Sequence, residues 1–130
     1  MTLLKVIDLF SGIGGFSYAA EHLVGGFETV QFVECDPWCQ RALRKNWPLV
    51  PIHSDICTYE PAHKAADVIC GGFPCQDISS AGKNAGIKEG TRSGLFYELM
   101  RVVRRVRPQY IVLENVSAIR TRGLDIVLST

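Results

Sequence analysis

Four continuous apolar runs, each separated from the next by a segment of helical character, constrain this chain more than any other feature. Leu3 to Phe10, Thr29 to Glu34, Ala66 to Cys70 and Tyr110 to Glu114 read as strands, and Pro51 to His53 as a shorter one. Apolar runs without polar alternation belong to strands buried on both faces. Between them, Phe16 to Val24 reads as a helix closed by Gly25-Gly26. Pro37 opens a second helix that stops before Pro48, and Gly94 to Arg107 makes a third, ended by Pro108. Proline is suited to the first helical position and unable to continue a helix, which sets these boundaries. Buried strands alternating with helices imply an α/β fold built on a mainly parallel sheet. The expected architecture is a Rossmann-like, doubly wound sheet with ligands at the carboxyl ends of its strands.

A length of 130 residues is one domain or part of one, and a formal net charge of +1 neither requires nor excludes a polyanionic partner. No apolar run approaches the roughly 20 residues of a membrane span, and the N-terminus has no secretory pattern, so a cytoplasmic protein is expected. The five cysteines show no Cys-x-x-Cys pair. That fits free thiols in a reducing compartment and gives no reason to expect a disulfide framework or a metal site. Asp125 to Thr130 begins an amphipathic helix that stops within about two turns. The chain therefore reads as the first portion of a larger domain.

Two stretches carry chemistry. Phe10-Ser11-Gly12-Ile13-Gly14-Gly15 lies between the first strand and the first helix, where glycines let backbone approach a ligand and a helix N-terminus offers amide donors. The dinucleotide fingerprint is not met, because Ser17 stands at the third glycine position. Glu34, at the end of the second strand, is placed to bind ribose hydroxyls, and Asp55 after the third to accept from an adenine amino group. Each acid taken singly is also what a helix cap or a solvated surface would use. Taken together they describe an adenosine-containing ligand.

The second stretch is Gly71-Gly72-Phe73-Pro74-Cys75-Gln76, directly after the strand Ala66 to Cys70. Glycines and proline suit a rigid loop entering a cleft, which makes Cys75 a candidate nucleophile although cysteines are more often inert core residues. Residues 73–93 form a long connection, expected to act as a flap over a site. Glu114-Asn115-Val116 closes the last strand. Neighbouring fourth and fifth strands bring Cys75 and Glu114 to one crevice, where a carboxyl in a partly desolvated cleft keeps its proton and acts as an acid. A thiolate beside such an acid suits conjugate addition to an electron-poor ring.

In order along the chain, Asp8 to Gly15, Glu34 with Asp36, Asp55-Ile56, Gly72 to Gln76 and Glu114 to Val116 resemble the S-adenosylmethionine-dependent DNA (cytosine-5) methyltransferases. The resemblance implies a C-terminally incomplete methyltransferase domain over residues 1–130, with S-adenosylmethionine as cofactor and double-stranded DNA bearing a flipped cytosine as partner. It implies that Cys75, held by Pro74, adds to C6 of cytosine, while Glu114 contacts the N3 edge and Asn115 holds the loop. Phe10, Ser11, Gly12, Gly14, Gly15, Glu34, Cys35, Asp55, Ile56 and Leu95 would form the donor pocket. Gln76, Ser79, Lys83, Lys88 and Arg92 would meet the nucleic acid, though simple solvation also accounts for each of the three cations. Arg101, Arg104, Arg105 and Arg107 read instead as the solvated face of a helix.

The family's Gln-x-Arg-x-Arg block, target-recognition region and final motif are not found in these residues. The expectation is a portion inactive alone, or one subunit of a split enzyme whose second chain supplies recognition. Three other readings remain. One is the tRNA-directed branch, which tends to carry a second proline where Phe73 stands. Another is a non-catalytic cofactor-binding subunit, for which an intact Cys75 and Glu114 would be unnecessary. The last is a thiol hydrolase, which would need a histidine base that His22, His53 and His63 do not evidently provide.

Overall fold

The computed structural model describes residues 2–72 and 94–113. Five parallel strands form one sheet: β1 (Leu4–Leu9), β2 (Phe27–Val33), β3 (Ile52–His53), β4 (Val68–Gly71) and β5 (Tyr110–Leu113), in the order β3-β2-β1-β4-β5. The order reverses between β1 and β4, which opens a crevice at the carboxyl ends of those strands. All five expected strands and their parallel pairing are present. β4 begins two residues later than the apolar run, because Asp67 serves as its anchor. Its carboxylate accepts from the Lys5 amide at 2.9 Å, and its carbonyl accepts from the amides of Gln109 and Tyr110.

Alternate strand residues face opposite sides of the sheet. Ile7, Leu9, Val33 and Ile69 point to the side covered by α3 (Leu95–Val106), where Phe96, Leu99, Val102 and Val106 are fully buried. Burying each such side chain contributes roughly 1.5–3 kcal/mol, so this layer is the main stabilising element. Val6, Val68 and Cys70 point to the other side, against Leu4, Phe16 and Phe27. Gly71 belongs to the sheet and not to the loop after it. A Cβ there would lie 2.5 Å from Leu99 Cδ1, so its lack of a side chain is what lets α3 sit on β4. α3 ends where Arg107 takes a left-handed φ of 58°, a conformation usually left to glycine, and Pro108 prevents continuation.

The first helix departs from expectation. It is α-helical only as α1 (Gly15–Tyr18) and continues as a π-helix over Ala19–Val24, its wider turn closed by the Gly25 amide on the Ala20 carbonyl. In that wider turn the Glu21 carboxylate accepts from Trp47 Nε1 at 3.0 Å and from the Thr29 amide at 2.8 Å. Side-chain anchoring outside the helix thus accompanies a geometry that local propensity does not favour. The second helix, α2 (Pro37–Asn46), opens at Pro37 as expected. Among the described residues no helix is long and apolar enough to cross a membrane.

Candidate functional site

The turn after β1 is built from strained and buried parts. Phe10 adopts a left-handed φ of 53°, which costs a non-glycine residue about 1–2 kcal/mol. Ser11 is buried, with its amide and hydroxyl turned to the Val33 carbonyl and its hydroxyl also donating to the Asp8 carbonyl. Gly12 and Gly14 have φ of +59° and +90°, and a Cβ on Gly14 would lie 2.6 Å from the Trp47 ring. Ser17, at the position of the missing third glycine, is fully buried and donates to Asp8 Oδ2 at 2.6 Å. The hydroxyl gives the buried carboxylate a partner that a glycine would not.

Past β2, Glu34 Oε1 accepts from the Gly12 amide at 2.7 Å and Oε2 from the Asp36 amide at 2.9 Å. Asp36 caps α2 by accepting from the Trp38 amide at 2.8 Å, and Pro37 follows at the position where no amide donor is needed. Past β3, Asp55 caps a short 3-10 turn (Ile56–Thr58) by accepting from the Cys57 amide at 2.9 Å. Arg101 of α3 holds that turn from the other side, donating to the Ile56 carbonyl at 2.8 Å while paired with Glu98 at 2.8 Å. The expectation of a wholly solvated arginine face is therefore corrected at Arg101, which is part-buried. Arg105 also donates to the Pro61 carbonyl, at 3.1 Å. Helical spacing alone does not reveal that a loop 45 residues earlier returns to this face.

These turns surround a cavity of about 470 Å³ at the carboxyl ends of the strands. Of the residues expected to bind a donor, Phe10, Gly12, Glu34, Cys35, Asp55, Ile56 and Leu95 line it together. Ser11, Gly14 and Gly15 do not. Ser11 lies beneath the turn, while Gly14 and Gly15 border a separate groove of about 400 Å³ with Tyr18, His22 and Trp47. Val33, Asp36, Ser54 and Gly72 complete the lining and were not anticipated. Asp36 stood in the sequence only beside Glu34 in a motif block, and its place on the wall follows from the sheet order. Among these lining residues are three carboxylates and no lysine, arginine or histidine. Such a wall favours hydroxyl, amino and cationic groups and repels phosphate.

Two thiols on the elements that follow the wall acids, Cys39 and Cys57, are held back from ionising. Burial, then the neighbouring Glu34 and Asp36 carboxylates, push Cys39 above the usual thiol range. Burial, then Glu98 and Asp55, do the same at Cys57. Among the described residues no group of three or more His, Cys, Asp or Glu side chains is arranged to hold a metal ion.

Pro74, Cys75, Gln76, Ser79, Lys83, Lys88, Arg92, Glu114 and Asn115 lie outside the described residues, as does the connection over 73–93. The adjoining strands are described. β4 and β5 are direct parallel neighbours, with Gly71 opposite Leu113 at their carboxyl ends. Gly72, the next residue on, borders the cavity.

Residues 4–128 match the C-5 cytosine-specific DNA methylase family. The chain is 40% identical over 117 residues to the Type II methyltransferase M2.BsuMI of Bacillus subtilis (strain 168), an alignment covering 87% of this chain and 29% of that protein. It is 37% identical over 116 residues to the Type II methyltransferase M.HhaI of Haemophilus parahaemolyticus, covering 89% of this chain and 35% of that one. It thus spans about a third of the length of such relatives. In fold it is similar to the Dnmt2 methyltransferase of S. pombe, with a TM-score of 0.75 at 23% identity over 98% of this chain and 39% of the other. The turn geometry, the sheet order with its strand-end cavity and the match across nearly the whole chain agree, and this chain belongs to the C-5 cytosine-specific DNA methylase family.

Proposed function

We propose that this chain carries the methyl-donor site and the nucleophile of an enzyme that methylates C5 of cytosine in DNA, with S-adenosylmethionine as donor. The observation that carries the reading is the strand-end cavity in which Glu34 and Asp55 stand with Phe10, Ile56 and Leu95. Its volume lies within the roughly 300–1,000 Å³ usual for small-ligand sites. Glu34 suits a ribose diol, Asp55 an adenine amino group, and the apolar side chains the faces of the base. S-adenosylmethionine, when bound, supplies an electrophilic methyl group.

Addition to the ring, protonation of N3 and contact with DNA fall to residues of the chain. Cys75 adds as a thiolate to C6 of a cytosine flipped from the duplex, and C5 gains electron density. Glu114 holds the N3 and exocyclic amino edge and supplies a proton to N3. Once C5 is methylated, loss of its proton to a base lets the sulfur–C6 bond break, freeing Cys75 as N3 gives its proton back. Pro74 and Asn115 hold the nucleophile's loop, and Gln76, Ser79, Lys83, Lys88 and Arg92 meet the DNA. Because relatives are about three times as long, we infer that these 130 residues do not methylate DNA unaided. A second polypeptide has no support among these relatives, and none is proposed.

Two measurements test the reading. Calorimetry with S-adenosylmethionine should show binding that Asp55→Ala weakens by about tenfold, the loss of one hydrogen bond to the base. Absence of binding by the wild-type chain removes the donor site. A duplex containing 5-fluorocytosine, offered with the donor and with the C-terminal region of a relative in trans, should trap an adduct that mass spectrometry places on Cys75. An adduct that survives Cys75→Ser removes the nucleophile assignment.

A further inference from the structure

We infer that Glu34 is a positioning residue for the side of the cavity formed by Gly12, Asp36 and Ser54, a role separate from any contact it makes with ribose. The inference rests on the adenosine-type reading of the cavity for its ligand, but its structural basis is independent of that reading. Glu34 is the point at which three turns meet. One carboxylate oxygen accepts from the Gly12 amide of the turn after β1, and the other from the Asp36 amide at the start of α2. Its own amide donates to the His53 carbonyl at the end of β3, at 3.0 Å. Its carbonyl accepts from Gln40 Nε2 at 2.6 Å, which ties the first turn of α2 to the same residue. Gly12, Asp36 and Ser54, on three different connections, all border the cavity.

The chemistry explains why an acid is needed at this position. Gly12 has a left-handed φ of +59° and no side chain to anchor it, so its own place in the turn is fixed through its amide hydrogen bond and its chain neighbours. Two amide donors converge on two carboxylate oxygens, and only a carboxylate offers acceptors on both. A glutamine would satisfy one amide and oppose the other with its own N–H₂. Hydrogen bonds from amides to an ionised group are also among the stronger ones available. Each carboxylate oxygen retains further acceptor capacity, so clamping the turns and receiving a diol are compatible. The Gly12 and Asp36 parts of the wall are therefore arranged before a ligand arrives and depend on this side chain, while the Glu34 backbone makes the bonds with His53 and Gln40.

A ligand without the hydroxyls separates the two roles. Calorimetry is carried out with S-adenosylhomocysteine and with its 2′,3′-dideoxy analogue, on the wild-type chain, Glu34→Ala and Glu34→Gln. Positioning predicts that both variants weaken the dideoxy analogue by about tenfold and the parent ligand by more. If Glu34→Ala weakens the parent ligand but leaves the analogue unchanged, ribose contact stands and positioning falls. If neither ligand is affected, both fall. The ligand-free protein gives a second reading by nuclear magnetic resonance. In Glu34→Gln, chosen as the variant least disruptive to folding, exchange of the Gly12 and Asp36 amide protons should accelerate by at least about tenfold. Unchanged exchange at both amides overturns the inference.

Discussion

Burial alone would push the Glu21 carboxyl up, yet hydrogen bonds from Trp47 Nε1 and the Thr29 amide, with His22 nearby, hold it below the ordinary carboxylate range. A folded-state value below the unfolded one means that the ionised group stabilises the fold. That contribution is present above the unfolded value and is lost as pH falls through the folded one. Glu21→Gln should therefore destabilise the protein at pH 7 by about 1–2 kcal/mol, since one donor is left poorly matched. Urea unfolding should show the gap narrowing as pH drops below the ordinary carboxylate range. A gap of constant size would mean that shape, not charge, is what Trp47 and Thr29 require. Residues of this kind are hard to read from sequence. Glu21 looks like one more exposed acid on a short helix, and its partners are 8 and 26 positions away. Ser17 was visible as a departure from a glycine fingerprint, but its pairing with buried Asp8 was not.

At the scale of elements, the turns are as informative as the strands. Pro37 announces a helix start from local chemistry alone, and the structure opens α2 at that residue, with Asp36 as its cap. The link between α3 and the 3-10 turn over Ile56–Thr58 has no such local signal. It depends on Arg101 reaching the Ile56 carbonyl across two connections. Arg101→Ala should free that carbonyl and leave Glu98 without its partner, costing about 1–2 kcal/mol. Exchange of the Cys57 and Thr58 amides should speed up while the β1 amides stay protected. Uniform acceleration across the sheet would instead mean that Arg101 supports global stability and has no local part in shaping the cavity. The π-helical continuation of α1 was likewise illegible, because apolar spacing cannot distinguish a helix of 3.6 residues per turn from a short wider one.

For the molecule as a whole, the cavity couples ligand binding to stability, because its walls come from separate connections of the sheet. A ligand that binds only the folded form at a hundred times its dissociation constant stabilises by about 2.7 kcal/mol. For a chain of 130 residues that corresponds to a rise in Tm of roughly 5–15 °C. Thermal unfolding should show such a rise with saturating S-adenosylmethionine and none with ATP at equal concentration, because the three wall carboxylates oppose a triphosphate. An equal rise with ATP would contradict the electrostatic account. Apolar runs, their helical spacers and the Gly and Pro signals at their ends determined the strands and the parallel sheet, since these depend on near neighbours along the chain, and the ordered motif blocks carried the resemblance to the family. Only the tertiary structure decided which acids share a wall, that Glu34 joins three turns and that Arg101 is not a surface charge. Those outcomes rest on contacts between residues far apart in sequence, formed only once the sheet order brings their loops to one edge.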